Sequence, residues 1–246
     1  MELYKNEDCL NQFSRTELLI GKQGLEKLHN AKIAIFGIGG VGSFVVEGLV
    51  RAGVQNFVLV DNDKISLTNL NRQLIATQKT IGKDKVEVAK ERILGINPKA
   101  KVEVFKEFFL PNSNTNIITK ELTYVVDCID TVTAKIEIVM QCKNLKIPII
   151  SAMGTGNKLN PLKLEVTDIY KTNVCPLAKV MRKELRKRNI NELKVVYSTE
   201  EPIKLKLQNY EEKNVTKRQV PGSISFVPSV AGLIIAGEVV KEIIEK

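Results

Sequence analysis

The sequence predicts an α/β fold with a mainly parallel sheet, and two features of its 246 residues support that prediction. Short apolar runs alternate with helical segments up to about residue 153, the pattern of right-handed strand–helix–strand crossovers. With 43% hydrophobic residues, the chain can also bury a substantial core. We therefore expect a single domain over residues 1–246, with an N-terminal helix over residues 14–29.

The first elements predict a nucleotide-binding unit. Lys32–Phe36 has the pattern of a short buried strand, and a helix that reaches Ala52 follows it. Four glycines lie between them: Gly37, Gly39, Gly40 and Gly42. Glycine permits positive φ and lets backbone N–H groups approach an anion at a helix N-terminus. A second strand, Asn56–Val60, ends at Asp61, where a carboxylate can bind a ribose diol, so the order predicts a Rossmann-like fold.

A polar and cationic cluster after Asp61 favours ATP over a dinucleotide. It consists of Asp63, Asn69, Asn71, Arg72, Gln73 and Lys85. Negative charge builds on the α-phosphate oxygens as pyrophosphate leaves, and Arg72 and Lys85 can offset it. Asp130, which follows an apolar strand at 124–126, suits a magnesium ion that bridges the phosphates. Taken singly, Arg72 and Lys85 would more often be solvated surface cations, but the order of the whole series favours a site.

These motifs resemble those of the ubiquitin-activating-enzyme-like (ThiF/MoeB/HesA) superfamily over nearly the whole chain. The resemblance implies adenylation of a carboxylate, with ATP held by the glycine loop, Asp61 and the polar cluster. It implies catalytic roles for four residues: Arg15, Arg72, Lys85 and Asp130. In several relatives the arginine that matches Arg15 reaches the site of a neighbouring subunit, which implies a homodimer.

Four further stretches resemble the tRNA threonylcarbamoyladenosine dehydratases within that superfamily. They are residues 151–158, 168–172, 175–178 and 221–226. The implied activity is ATP-dependent dehydration of this modified adenosine beside the anticodon, through adenylation of its threonyl carboxylate. The alternative is an adenylyltransferase for the C-terminal carboxylate of a small sulfur carrier protein, and a partner from the cysteine-desulfurase pathway stays open. A nicotinamide-dependent oxidoreductase or a nucleotide sensor would explain the glycines and Asp61 but not the cationic cluster.

The cysteines weigh against the sulfur-carrier alternative. Cys9, Cys128, Cys142 and Cys175 lack the paired spacing of a structural zinc site, which those relatives usually carry, so we expect no zinc. Unpaired cysteines agree with a reducing cytoplasm. Cys175 precedes a predicted helix, where a thiol can be acidified, but an ordinary cysteine fits equally well and we assign it no catalytic role.

The formal charge of +9 is concentrated on the predicted helix from Pro176 to Arg188. One face carries Lys179, Arg182, Lys183 and Arg186. Such a face can neutralise RNA phosphates, although a solvated lysine-rich surface is the alternative. Without an aromatic ladder, we expect recognition of tRNA shape and backbone. No apolar run approaches the ~20 residues of a membrane span, so we expect no membrane contact.

The C-terminal third of the chain is predicted to extend the sheet. Leu164–Val166 and Lys194–Ser198 have the pattern of added antiparallel strands. Residues 199–220 are polar and charged, and predict a mobile surface loop. Pro228 is predicted to open a final helix that docks on the sheet through apolar residues at 230, 233, 234, 240 and 244.

Overall fold

The structure is a computed structural model that describes residues 10–111, 116–205 and 221–245. Its strands are β1 (Lys32–Phe36), β2 (Asn56–Val60), β3 (Lys101–Phe105), β4 (Tyr124–Asp127), β5 (Ile149–Ala152), β6 (Leu164–Asp168) and β7 (Lys194–Ser198). Its helices are α1 (Ser14–Asn30), α2 (Gly42–Ala52), α3 (Lys85–Ile96), α4 (Val132–Leu145), α5 (Pro176–Arg186) and α6 (Phe226–Glu245).

The strands form one sheet in the order β3-β2-β1-β4-β5-β7-β6. β1 pairs in parallel with both β2 and β4, so the strand order reverses beside β1 and opens a crevice at the carboxyl ends of these strands. The predicted mainly parallel α/β fold is confirmed. Of the two added strands, β6 runs antiparallel to β7. β7 instead continues the parallel pairing with β5, because the α5 crossover returns the chain to the starting edge.

Helices cover both faces of the sheet, which explains why its central strands are almost free of solvent contact. Alternate residues of β1 point to opposite cores. Ile33 and Ile35 belong to the core under α1, α2, α3 and α6, whereas Ala34 and Phe36 pack with α4. A third apolar cluster joins α4 to α5. The polar residues at the strand ends are therefore held by a rigid scaffold.

The final helix differs from its prediction in two ways. It begins at Phe226, so Pro228 lies inside its first turn, where the missing N–H has no carbonyl partner to lose. The predicted stripe at 230, 233, 234, 240 and 244 is only part of the docking face. Ile234, Val240 and Ile244 are partly buried and pack against the core, whereas Leu233 is 48% exposed. The buried face carries Val227, Ala231, Gly232, Ile235, Ala236, Val239 and Ile243.

Close packing selects that face of α6. Residues 226–237 of the helix carry no charge, so hydrophobic periodicity could not choose a side in this half. A Cβ on Gly232 would lie 2.4 Å from the carbonyl oxygen of Val41, and a Cβ on Gly48 would lie 2.7 Å from the Cβ of Ala236. Small residues thus turn inward because they let α6 approach α2.

The N-terminal helix is interrupted at Gly21, whose φ of +72° is not helical. After this point, Leu25 and Leu28 are buried and α1 packs against α6. Before it, Leu18 and Leu19 are 60% and 88% exposed. None of the described helices is long and apolar enough to cross a membrane.

Candidate active site

A cleft of about 620 Å³ opens at the carboxyl ends of the central strands. One wall is formed by the glycine loop and by the residues after β2. The opposite wall is formed by residues 128–130 and 152–156 and by residues 221–223. Ten of the predicted site residues line it: Gly37, Gly39, Gly40, Asp61, Asp63, Asn69, Arg72, Gln73, Lys85 and Asp130.

The glycine loop has the shape that its sequence predicts. Gly37 has a φ of +86°, and a Cβ there would lie 2.8 Å from the carbonyl oxygen of Cys128. Gly42 does not line the cleft, because its Cα faces the loop interior and a Cβ would lie only 1.8 Å from the Gly37 oxygen. Both glycines shape the turn, while Gly39 and Gly40 form the surface that a phosphate could approach at the start of α2.

Asp61 fastens the end of β2 to the glycine loop. Its Oδ2 accepts a hydrogen bond of 2.7 Å from the Ile38 N–H, and its Oδ1 accepts one of 2.9 Å from the Asp63 N–H. Burial raises the pKa of Asp61, and the Lys85 ammonium, 3.8 Å from Oδ2, partly offsets that effect. A carboxylate has about four lone-pair positions, so each oxygen can still accept a bond from a ribose hydroxyl.

Lys85 is the first residue of α3 and is a buried cation. Its Nζ lies 2.6 Å from Asp63 Oδ2. Asp63 is 59% exposed on its side chain, so this partner can move toward solvent while Lys85 stays in the wall. The arrangement keeps a positive charge beside Asp61 and available to an anion in the cleft.

The segment from Ser66 to Gln73 presents the polar cluster. Asn69 Oδ1 accepts a bond from the Ser66 N–H and closes a short 3-10 turn. Asn71 does not line the cleft; its Nδ2 donates to the Ser223 carbonyl and holds the opposite rim. Gln73 is buried, and its Oε1 has no hydrogen-bond partner in the described part of the chain. Gln73 as a residue also lines the cleft, and a buried acceptor without a partner is unusual in a folded protein.

Arg72 extends from the same segment into the cleft. Its Nη1 donates to the Thr68 carbonyl and to Asn71 Oδ1, both at 3.0 Å. Nε and Nη2 have no partner among the described residues. The guanidinium is thus oriented by one nitrogen, and the rest of its fork can bind an anion.

Asp130 and Arg15 occupy different places. Asp130 lies in the wall after β4, is exposed, and accepts one long bond of 3.5 Å from Thr131 Oγ1. Arg15 is exposed at the start of α1 and does not line the cleft of its own chain.

Sequence reasoning missed an ion pair beneath the cleft. Lys135 and Asp127 are both fully buried, and Lys135 Nζ lies 2.8 Å from Asp127 Oδ2. A signal was present in the sequence. Lys135 occurs on the same helical face as Ile138 and Cys142, where an isolated lysine is unfavourable unless it is paired.

The basic face of α5 is less uniform than its sequence suggests. Lys179 and Lys183 are exposed and form no ion pair or hydrogen bond within the described residues. Arg182 instead donates to the carbonyl and the hydroxyl of Thr172. Arg186 lies over the Tyr170 ring at 5.1 Å. Two of the four predicted tRNA-binding cations therefore also have structural contacts.

The cysteines in the described range are free. Burial raises the pKa of Cys128, and burial together with the Asp127 charge raises that of Cys142 to about 12. Cys142 lies in the core, whereas Cys128 is half-buried and lines the cleft. Cys175 is buried at the start of α5. Across the described ranges, no three His, Cys, Asp or Glu side chains are grouped to hold a metal ion. Cys9, and residues 206–220 of the predicted mobile loop, lie outside the described residues.

The chain is similar to known proteins over nearly its whole length. A model of the ThiF family matches residues 13–246. The tRNA threonylcarbamoyladenosine dehydratase of Bacillus subtilis (strain 168) is 43% identical over 243 residues, which is 96% of each chain. The chain belongs to the ThiF family. The superfamily resemblance inferred from the motifs is confirmed.

Other ThiF-family proteins show how far the similarity extends. The sulfur carrier protein ThiS adenylyltransferase of Escherichia coli (strain K12) is 31% identical over 158 residues, 63% of this chain and 62% of that protein. Crystal structures of the E. coli tRNA N6-threonylcarbamoyladenosine dehydratase with AMP and with ATP superpose with TM-scores of 0.84 and 0.83. Both are 30% identical and cover 95% of this chain and 94% of theirs.

The contacts of Asp61 give a direct test of nucleotide binding at this ThiF-type cleft. Asp61→Ala should weaken ATP binding by about 1–3 kcal/mol, because it removes a charged acceptor and frees the Ile38 N–H. Calorimetry with ATP and with NAD checks this. Asp84→Ala is the matched control, since Asp84 pairs with Lys106 outside the cleft. Tight dinucleotide binding without ATP binding would contradict the nucleotide assignment.

Proposed function

We propose that this chain is an ATP-dependent tRNA threonylcarbamoyladenosine dehydratase. The observation that carries the proposal is the extent of similarity: identity to a curated dehydratase runs over 96% of both chains. The match to the sulfur-carrier adenylyltransferase stops at 63% of this chain. The cleft supports the chemistry, since it combines a phosphate-type glycine loop with Asp61, Arg72, Lys85 and Asp130.

We propose a position in the cleft for each part of ATP. The ribose hydroxyls donate to Asp61, and the phosphates lie over the glycine loop at the N-terminus of α2. Arg72 and Lys85 then face the α-phosphate, while Gln73 Oε1 accepts a hydrogen bond from the ligand. Asn69 and Asn71 support the site indirectly. The side chain of Asn69 bonds to a backbone N–H within the turn, and that of Asn71 bonds to a backbone carbonyl on the rim of the cleft.

Magnesium fits this arrangement through Asp130. Mg²⁺ is commonly bound by one or two carboxylates together with substrate phosphates, and Asp130 is an exposed carboxylate in the wall of the cleft. When bound, the ion would neutralise phosphate charge and polarise the oxygens that develop charge. We assign Asp130 to this role.

The reaction has two balanced steps. A threonyl carboxylate oxygen attacks the α-phosphorus of ATP, and pyrophosphate leaves with the bridging oxygen. The ureido group of the same nucleoside then attacks the acyl carbon, AMP leaves, and a ring closes with loss of a proton. The carboxylate oxygen departs in AMP, so the nucleoside loses the elements of water. Arg72 and Lys85 stabilise the charge that grows at the α-phosphate in the first step.

Mass spectrometry of tRNA nucleosides tests this function. Incubation of tRNA that carries threonylcarbamoyladenosine with the protein and ATP should yield a nucleoside lighter by one water, together with AMP and pyrophosphate. Reactions without ATP, or with tRNA that lacks the modification, are the controls. Pyrophosphate release that depends on a sulfur carrier protein, with unchanged tRNA, would replace this function by the alternative.

Assembly and location are also proposals. We infer a homodimer in which Arg15 of one subunit enters the cleft of the other. The exposure of Arg15, Leu18 and Leu19 on the first half of α1 supports it, because a partner could cover this face. We further propose that residues 1–246 act as one cytoplasmic domain. A cysteine-desulfurase-pathway partner stays a prediction.

We infer that the substrate tRNA contacts the exposed lysines of α5. Leu177, at the start of α5, lines the cleft, so RNA phosphates that reach this helix would lie next to the reacting nucleotide. Lys179 and Lys183 suit this contact better than Arg182 and Arg186. The two lysines form no ion pair within the described residues, whereas each of the two arginines has a structural contact to keep.

Charge reversal at Lys179 and Lys183 should weaken tRNA binding. Each lost phosphate contact should reduce the log–log salt slope by about 0.7–0.9, with ATP affinity unchanged. Titrations at several salt concentrations measure both quantities. Lys99→Glu/Lys101→Glu is the control, because it changes the net charge equally at the amino end of β3, away from the cleft. Equal slopes for the two double variants would leave the α5 lysines as a solvated surface.

A further inference from the structure

The ammonium of Lys135 is fully coordinated beneath the floor of the cleft. Its Nζ donates to Asp127 Oδ2 at 2.8 Å and to the backbone carbonyls of Ile129 and Ala152, both at 2.9 Å. An ammonium has three N–H donors, so these three acceptors use all of them. The acceptors lie at the end of β4, two residues after it and at the end of β5, and the lysine comes from α4.

Asp127 also bonds to β5 and to the segment after β4. Its Oδ2 accepts a hydrogen bond of 2.5 Å from Ser151 Oγ, and its Oδ1 accepts one of 3.2 Å from the Ile129 N–H. The ion pair therefore joins the carboxyl ends of β4 and β5 through side-chain and backbone bonds. It also fixes both polar groups of the Ile129 backbone.

This ion pair is a costly way to fill the core. Two charges without solvent contact lose their hydration, and well-packed apolar side chains in their place are often neutral or stabilising. Neighbouring positions of α4, such as Ala134, Ile138 and Cys142, are apolar and buried. Packing alone would thus be served by a methionine or leucine at position 135. What an apolar residue cannot do is hold the two carbonyls.

Those carbonyls belong to the wall of the cleft. Ile129 and Ala152 both line it; Asp130 follows the first, and Met153 and Gly154 follow the second. We propose that Lys135, with Asp127, is a positioning residue that fixes Asp130 and the 152–154 segment relative to the bound ATP and acceptor carboxylate. This inference rests on the proposed adenylation at this cleft. Lys135 itself does not line the cleft and does not touch the reactants.

Three variants separate positioning from stability. Lys135→Met removes the donors but leaves Asp127 buried without its counter-charge, so it lowers the melting temperature. Lys135→Met/Asp127→Asn removes both charges and should recover much of that loss. Arg92→Met is the matched control, because Arg92 pairs with Glu47 between α3 and α2, outside the cleft. All are compared with wild type at a temperature where each is folded.

Three readouts are then measured on the whole chain. Hydrogen exchange should be faster at residues 128–131 and 152–155 in both Lys135 variants, and unchanged there in Arg92→Met. Turnover of modified tRNA should fall by about 100-fold in both Lys135 variants, the scale for misplacing a reacting group by about 1 Å. ATP affinity should stay close to wild type, since Asp61 and the glycine loop are not contacted by Lys135.

The role of Lys135 and the proposed enzymatic function can each be contradicted by a different result. If the double variant recovers turnover together with its melting temperature, or if exchange at the two segments is unchanged, Lys135 has only a packing role and the inference is wrong. If wild type binds ATP but leaves the tRNA unchanged, the proposed function is wrong, while the exchange comparison still decides whether Lys135 orders the wall.

Discussion

Lys85→Ala should lower turnover by about 100-fold or more, and Arg72→Ala should do the same. Removing one preorganised donor to a developing anion costs about 2.7–4 kcal/mol of transition-state stabilisation. Lys85 is held inside the wall, and Arg72 is oriented by its bonds to Thr68 and Asn71. Neither group therefore has to be organised during the reaction.

The two substitutions should differ in their effect on ATP. Lys85 partly offsets the burial that raises the pKa of Asp61, so its loss raises that pKa further and weakens the ribose contact. Arg72 bonds to Thr68 and Asn71 and not to Asp61, so its loss should affect turnover more than ATP affinity. Single-turnover kinetics and calorimetry on the same variants measure the two effects.

Lys83→Ala is the matched control for both variants. Lys83 is exposed two residues before Lys85 and does not line the cleft, so the protein should keep wild-type turnover. Lys85→Met removes the charge but keeps most of the length of the side chain, so it separates the effect of the charge on turnover from the effect of packing. Near-normal turnover in Lys85→Ala and Arg72→Ala would show that the cationic cluster is not the catalytic one.

The parts of the site that follow strand ends could be predicted from the sequence. The carboxyl ends of parallel strands meet at one edge, so residues after β1, β2 and β4 had to converge once those strands were recognised. Gly37, Asp61 and Asp130 lie in one cleft for that reason. Their catalytic and binding roles stay predictions.

Other features depend on tertiary contacts that no local pattern encodes. The apolar helical face around Lys135 indicates that this lysine is paired, but its three acceptors come from β4, from the residues after it and from β5, which the sequence alone does not bring together. The centre of the α6 docking face lies beside the predicted stripe, because the close approach of α2 selects the side with Gly232 and Ala236. The contact of the Asn71 amide with the Ser223 carbonyl across the rim is a further example, and nucleotide binding by Asn71 stays a prediction.

A mixture of Arg15→Ala and Asp130→Ala proteins should regain activity that each has lost alone. Arg15 does not line the cleft of its own chain, so a catalytic role requires a second subunit. In a mixed dimer, one site would combine the intact Asp130 of one subunit with the intact Arg15 of the other. Random exchange should restore about a quarter of wild-type activity, because half of the dimers are mixed and each has one intact site.

The reverse mixture gives the opposite result and serves as the control. An equal mixture of wild type and an Arg15→Ala/Asp130→Ala protein has about half of its sites intact before subunit exchange. After exchange its activity should fall to about a quarter of that of wild type, because every site of a mixed dimer lacks one residue. If Arg15 served its own subunit, this mixture would keep about half of the activity and the first mixture would stay inactive. Subunit exchange is verified by mass spectrometry of differently tagged chains. Because the two mixtures move in opposite directions only when Arg15 acts across the dimer, a general loss of stability in either variant cannot imitate the result.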